Sequence, residues 1–373
     1  MMTGRLNEAA KAIQPALRGM TTRLKNSPFQ NRRANRNSSD RGINMIDAQK
    51  TMPRVSGFDG ASAVLNAAAT DTAVPPTKTA EPGKFSTGSH SYLSQTRRYK
   101  LYVPTTNNHM RLPLVVMLHG CTQDADDFAA GTGMNDAARE QGFFVLYPEQ
   151  SSGANASKCW NWFKSADQQR GAGEPALLAT MTQAVVSQHP IDPARVYIAG
   201  LSAGGAMAAI VAETYPDIFA AAGVHSGLPC GAARSVIEAF SVMRNGNASR
   251  FRTNAKVGVD LPHGVPTIVF HGDQDQTVHP RNGDQVIAAV LDTGGTVAHV
   301  QRIISVKGRH YTRSTHRDHE GTAVAEHWLV HGAGHAWSGG SAAGSYTDSA
   351  GPDATGEMLR FFFAQSMRPL RTN

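Results

Sequence analysis

The chain has 373 residues, 40% of them hydrophobic and 17% charged, an ordinary globular balance with enough apolar material for a sizeable core. Its formal charge of +7 is concentrated at one end. Residues 1–54 hold 11 Lys and Arg against 3 Asp and Glu, a net of +8 that leaves the remainder near −1. These basic residues are not interleaved with aromatics and sit on no recognisable module, which argues against a nucleic-acid partner.

In chain order, residues 1–19 carry Leu6, Ala10, Ile13 and Leu17 at helical spacing, interrupted by Pro15. Residues 20–88 are rich in Asn, Arg, Ser, Thr, Pro and Gly and read as a largely disordered linker. The expected organisation is a basic, mostly disordered N-terminal segment, 1–88, with a possible short helix, followed by one folded domain over 89–373. The N-terminus shows no apolar core or cleavage site of a secretory signal, and no window approaches a membrane-spanning length. No transmembrane segment is expected, and a cytoplasmic location is the default. A short basic amphipathic helix is also compatible with contact to a granule or membrane surface through residues 1–54.

From about residue 90 the texture changes. Strands are expected at Tyr99–Val103 and Leu112–His119, a helix over Ala125–Gln141, a strand at Gly142–Tyr147 and a helix over Pro175–Gln188. Strand Arg195–Ala199 leads through a Ser-centred turn into a helix ending at Thr214. Strands Ala221–His225 and Thr267–His271 follow, with a less regular insertion over 230–262 between them. A helix over Gly283–Leu291, strands Ala298–Ser305, Tyr311–Arg317 and Val324–Val330, and a helix over Ala354–Gln365 complete the pattern. Strands alternating with helices imply a mostly parallel central sheet with helices on both faces, and no repeat period is visible.

The run Tyr197-Ile-Ala-Gly200-Leu-Ser202-Ala-Gly204 carries a G-x-S-x-G pattern between an apolar strand and a small-residue helix. The bare pattern is weak in a glycine-rich chain. Its strand–turn–helix context is that of the nucleophile elbow of the α/β-hydrolase fold, and it makes Ser202 the candidate nucleophile. A serine hydroxyl needs a base to take its proton and a carboxylate to orient that base. In this fold they follow the serine in the order acid, then histidine.

Asp275 lies in H-G-x-x-D-x-x-V after the strand ending at His271 and is the better acid; Asp273 is the rival and can instead cap the turn. Of 15 histidines, His335 in Gly-Ala-Gly-His-Ala-Trp follows both acids and sits in a glycine-rich loop. His331 is nearer the strand end, where packing or capping is the expected role. His310, His316 and His319 lie in a polar hairpin with a solvated face. Backbone donors for an oxyanion are expected from Ala203, after the nucleophile, and from Cys121 in the loop Leu118-His-Gly-Cys-Thr. Three cysteines, Cys121, Cys159 and Cys230, are too few for a disulfide scaffold and lack zinc-ligand spacing. Either one pair forms in an oxidising compartment or all three are reduced.

The segments LHGCTQ (118–123), CWNWF (159–163), GLSAGGAM (200–207), HGDQDQTVHP (271–280) and GAGHAWSGG (332–340) resemble the polyhydroxybutyrate depolymerase family of esterases. That family is itself similar to feruloyl and acetylxylan esterases. The resemblance implies an α/β-hydrolase fold and a Ser202–Asp275–His335 triad. It also implies that Cys121 and Cys159 face each other near the site, and that Trp160, Trp162 and Trp337 line the substrate pocket. Members that degrade solid polymer outside the cell carry a signal peptide and a separate polymer-binding domain, neither of which is evident here. The expected substrates are therefore polyhydroxyalkanoate-type oligomers or other short-chain carboxylic esters, with a feruloyl or acetylxylan ester as the alternative. The expected reaction runs through an acyl-enzyme with no metal or organic cofactor. A prolyl-oligopeptidase-like peptidase shares the triad order but would carry a propeller-like repeat ahead of the hydrolase region. A surface-binding protein that works through its basic N-terminal helix is the reading from another class.

Overall fold

The computed structural model describes residues 82–105, 110–246, 264–291, 296–303 and 308–367. The expected helix within residues 1–19 and the basic segment 1–54 lie outside these. All described residues belong to one of two units of the chain; the other unit, Lys11–Thr79, lies outside them.

Ten strands form one sheet. They are β1 (Lys84–Tyr92), β2 (Gln95–Val103), β3 (Leu112–Leu118), β4 (Phe144–Pro148), β5 (Ile191–Leu201), β6 (Ala221–His225), β7 (Thr267–Gly272), β8 (Val297–Ile303), β9 (Tyr311–Arg317) and β10 (Ala323–Val330). Their order is β1-β2-β4-β3-β5-β6-β7-β10-β9-β8. From β4 to β10 across the centre every pairing is parallel, while β1, β2, β8 and β9 add antiparallel pairs at the two edges. The helices are α1 (Ala125–Thr132), α2 (Met134–Gln141), α3 (Gly173–Gln188), α4 (Ala203–Thr214), α5 (Val236–Asn245), α6 (Arg281–Leu291) and α7 (Ala354–Phe363). Two short strands, β11 (Trp337–Ser338) and β12 (Thr347–Asp348), pair apart from the main sheet.

Both faces of the central strands are covered, which is why β3 and β6 read as unbroken apolar runs. Along β3 the side chains alternate between two cores. Leu114, Val116 and Leu118 pack with Leu178 and Met181 of α3 and Met207 and Ile210 of α4. Val115 and Met117 pack with Phe128 of α1, Met134 of α2, and Met358 and Phe362 of α7. A smaller core joins Val224 and Val269 to Val286, Ile287 and Val290 of α6. Among the described residues no helix is long and apolar enough to cross a membrane. This is the α/β-hydrolase architecture: a mostly parallel sheet between two layers of helices.

Three expectations change. The single helix over Ala125–Gln141 is two, because Gly133 takes a left-handed conformation (φ 64°) that caps α1 and starts α2 at a new angle. β1 straddles the position near residue 88 where the sequence changes texture, because Tyr92 and Gln95 close a hairpin that pairs it along its whole length with β2. Within the irregular 230–262 region, Ser235 caps α5 by accepting from Glu238 N–H.

Candidate active site

β5 runs into Ser202, whose φ of 59° and ψ of −119° lie outside the ordinary regions for a non-glycine residue, and α4 begins at the next residue. The turn is tight enough that a Cβ at Gly204 would strike the carbonyls of Leu118 and His119. One at Gly200 would strike the backbone of Gly204 and approach Leu118 O at 2.7 Å. Glycine is therefore required on both sides of Ser202. The elbow is fixed laterally by Ser202 N–H, which donates to His225 O at 2.8 Å.

Parallel register then gathers the other candidates. Leu201 of β5 lies beside His225 of β6, His225 beside Phe270 of β7, and Phe270 beside Trp328 of β10. The loops leaving β5, β7 and β10 thus emerge at the same end of the sheet, with β6 between the first two, carrying Ser202, Asp275 and His335. His335 Nδ1 and Asp275 Oδ2 are 2.7 Å apart. Oδ1 of Asp275 accepts from Thr277 N–H at 2.8 Å and Val278 N–H at 2.9 Å. Burial alone would raise the pKa of Asp275. The imidazoles of His335 and His271 outweigh it and hold the carboxyl well below the usual carboxylate range. His335 is thereby oriented through Nδ1, and its other ring nitrogen bonds no described residue.

The rival acid has its own partner. Asp273 Oδ2 lies 2.9 Å from His331 Nδ1, and its Oδ1 accepts from Gly332 N–H at 2.8 Å. His331 Nε2 is in turn 2.9 Å from Thr312 Oγ1. The loops after β7 and β10 are therefore joined by two Asp–His pairs, of which the outer one continues to Thr312 of β9.

The loop after β3 approaches the elbow from the other side. A Cβ on Gly120 would lie 3.7 Å from Ser202 Cβ, so the absence of a side chain keeps this backbone against the nucleophile. Neither Cys121 N–H nor Ala203 N–H bonds to another described residue, which leaves both to an incoming ligand. His119 sets the loop: its Nδ1 donates to Gly120 O at 2.7 Å and its Nε2 accepts from Gln150 N–H at 3.1 Å. Burial pushes the His119 pKa down to about 4, consistent with a ring that donates on one side and accepts on the other. Gln150 continues the network by donating to Cys159 O at 3.1 Å and to the buried Glu174 at 2.5 Å. A disulfide between Cys121 and Cys159 ties the loop to the same network. Cys230 is buried and not disulfide-bonded.

A model of the esterase PHB depolymerase family matches residues 97–307, more than half of the chain. The chain belongs to this family. Among relatives it is 36% identical over 228 residues to poly(3-hydroxyalkanoate) depolymerase C of Paucimonas lemoignei, an alignment that covers 60% of this chain and 54% of the relative. It is 32% identical over 249 residues to a poly(3-hydroxybutyrate) depolymerase of Ralstonia pickettii, covering 64% and 50%. The chain thus spans about half the length of these relatives. An acetyl xylan esterase from Aspergillus awamori has the same fold, with a TM-score of 0.58 at 20% identity, covering 75% of this chain and 99% of that one.

One expectation carried by the family resemblance is corrected. Trp160, Trp162 and Trp337 are 0%, 5% and 1% exposed and present no open face for a pocket. Trp337 stacks on His225, meets Phe128 edge-on and donates from its indole N–H to Thr355 Oγ1 at 3.1 Å. Trp160 packs beside His119, and Trp162 meets Phe163 edge-on. Trp160 and Trp337 thus pack against His119 and His225, which support the oxyanion loop and the elbow. Sequence reasoning also missed His119, Gln150, His225 and His271. His225 is wholly buried; its Nε2 accepts from Ser338 N–H at 2.9 Å, which leaves the proton on Nδ1, 3.2 Å from Ser226 Oγ. Burial drives its pKa down to about 3. The available signal was position, since His119, His225 and His271 all sit at the ends of central strands. Among the described residues no cluster of three or more His, Cys, Asp or Glu is arranged to hold a metal ion.

Proposed function

We propose that this member of the esterase PHB depolymerase family is a serine ester hydrolase that works through an acyl-enzyme on polyhydroxyalkanoate-type or other short-chain carboxylic esters. The observation that carries the reading is the 2.7 Å contact between His335 Nδ1 and Asp275 Oδ2, in loops that leave the same end of the sheet as the elbow. His335 removes the proton of Ser202 Oγ as the oxygen attacks the ester carbonyl. The N–H groups of Cys121 and Ala203 receive the negative oxygen, and His335 hands the proton to the departing alcohol. Water, deprotonated by the same imidazole, then releases the acid and restores Ser202. Asp275 holds the tautomer in which Nδ1 carries the proton and stabilises the imidazolium formed in each step.

Release of p-nitrophenol from a butyrate ester tests the reading. Ser202→Ala is expected to lose about 10⁴-fold or more in kcat, and equal rates in the two proteins would end it. The relatives named as depolymerases favour a hydroxyalkanoate acid part.

A second reading, a feruloyl- or acetylxylan-type carbohydrate ester, is supported by relatives named as acetylxylan esterase and feruloyl esterase. Relative kcat/KM on hydroxybutyrate oligomers, methyl ferulate and acetylated xylan separates the two readings.

The Cys121–Cys159 disulfide supports residence in an oxidising compartment over the cytoplasm. Contact of the basic residues 1–54 with a polyester granule or anionic membrane is tested by co-sedimentation of the full chain and a form lacking residues 1–60. Equal, negligible pelleting of both removes that contact from the reading.

A further inference from the structure

Asp275 has a second histidine. His271, the penultimate residue of β7, is wholly buried, and its Nε2 lies 2.8 Å from Val278 O and 3.4 Å from Asp275 Oδ2. Both neighbours accept, so the proton must reside on Nε2; the other tautomer would set a lone pair against a carbonyl and a carboxylate. His271 Nδ1 is buried and has no partner, and a proton there would be an unsatisfied donor. It faces space kept open by Gly283 of α6, where a Cβ would lie 3.0 Å from His271 Nδ1 and 3.2 Å from His327 Nε2. The ring is therefore locked with one donor aimed at the Asp275 loop.

We propose that His271 is a positioning residue for the reaction: its Nε2–H, anchored on Val278 O, fixes Oδ2 of Asp275 and draws on the negative charge that His335 feels. The inference rests on the Ser202–Asp275–His335 reading and adds a member to it. Asp275 thus accepts from Thr277 and Val278 N–H on Oδ1 and meets His335 at 2.7 Å on Oδ2, with His271 Nε2–H beside that oxygen at 3.4 Å. Removing the His271 donor has two consequences that differ from simple loss of packing. The carboxylate gains a rotational freedom that His335 inherits, which lowers kcat more than it raises KM. It also concentrates its charge on the His335 side, stabilises the imidazolium and moves the acid limb of the rate profile upward in pH. The other titratable groups around this point are His225 on β6, His327 on β10, Asp284 on α6 and, beyond His327, His316 on β9. His271 lowers the pKa of His225, His327 and Asp284, so these three also respond to a change at residue 271, in the Leu and Gln variants alike.

The test is kcat/KM against pH, on p-nitrophenyl butyrate, for wild type, His271→Leu and His271→Gln. Leu keeps bulk without a donor, whereas Gln places an amide N–H near the position of Nε2. His271→Leu is expected to lose about ten- to hundredfold in kcat with little change in KM, the scale of one hydrogen bond to a charged group. Its acid limb is expected to rise by about half a pH unit. His271→Gln is expected to recover most of the rate and the wild-type limb. A Leu variant with the wild-type limb, or Leu and Gln variants impaired alike, overturns the proposal. If His271→Leu does not fold, His271→Asn replaces it, since its shorter amide reaches only the Nδ1 position and is expected to behave as donor-less. Ser202→Ala is run in parallel. Activity retained there defeats the hydrolase reading itself, while an inactive Ser202→Ala beside an unaffected His271→Leu defeats only the role of His271.

Discussion

Two Asp–His pairs, Asp273–His331 and Asp275–His335, with aspartates two residues apart and histidines four, leave the same end of the sheet with the same Nδ1-to-carboxylate contact, at 2.9 and 2.7 Å. What separates them is what surrounds the carboxylate and what remains of the imidazole. The side chain of Asp275 is 0% exposed and held by backbone N–H groups, and that of Asp273 is 28% exposed. The second nitrogen of His331 is consumed by Thr312, whereas the second nitrogen of His335 bonds no described residue. A buried, pre-oriented carboxylate with an imidazole that still has a free nitrogen is a device for moving a proton. A half-exposed carboxylate with an imidazole tied at both ends is a clasp between β9 and β10.

The sharpest way to break this distinction is to neutralise each acid in turn. Asp275→Asn is expected to lose about 10⁴-fold in kcat, because Asn at that place no longer selects the tautomer or stabilises the imidazolium. Asp273→Asn is expected to stay within about threefold and to cost roughly 1 kcal/mol or less in urea unfolding, as expected for a partly exposed pair. Comparable losses from both would mean that the outer pair also serves the reaction.

The distinction was only half visible in the sequence. The order Ser202, Asp275, His335 and the glycines of the elbow were legible because chain order and small residues are imposed by chemistry and sterics. β6 and β9 were legible residue for residue, β6 as a short apolar run and β9 as a β-branched and aromatic run bounded by Gly308 and Gly321 turns. The partners of Asp273 were not, because a hydrogen bond between residues 58 apart is set by strand register, which no local pattern records. β1 escaped for a related reason. Its Lys-Phe-Ser-Thr-Gly-Ser-His-Ser-Tyr sequence lies at the sheet edge and alternates between exposed and half-buried, so it reads as linker. The tryptophans show the opposite error. Their motif was real, but the identity of a residue does not say whether its ring faces a pocket or packs under it.

Acidification probes the inner side of the comparison, because buried imidazoles collect there and beneath the oxyanion loop. Burial holds His225 at about 3 and His119 and His327 at about 4. Below the unfolded value near 6.5 the unfolded chain takes up protons that the folded chain refuses. The stability these groups contribute is therefore complete above that pH and lost as pH falls toward the folded values. Each group removes about 1.4 kcal/mol per pH unit, so together they remove about 4 kcal/mol per unit below pH 6. Urea midpoints at pH 7, 6 and 5 should fall accordingly. A flat series would mean that these rings are hydrated or paired in solution.

The oxyanion loop offers a milder cut through the inner site alone. Cys121 and Cys159 are 38 residues apart, so opening their disulfide releases a loop of that length. Replacing both by Ala is expected to cost about 3 kcal/mol of stability and, through a looser Cys121 N–H, about tenfold in kcat. A change in stability without any change in kcat would show that His119 and Gln150 hold the loop unaided.

The smallest expected effect is at Thr312, and it bears most directly on the clasp. Thr312→Val removes the hydroxyl that meets His331 Nε2 at 2.9 Å while keeping the β-branched shape suited to β9. His331 is 28% exposed, so water can replace the lost partner, and the cost should be under about 1 kcal/mol. Nothing in that chain of contacts leads toward Ser202, so kcat and its pH dependence should be those of the wild type. A shifted pH profile in Thr312→Val would show that the outer pair is felt by His335 through the loop the two share. The clasp would then have to be counted as part of the proton-moving device.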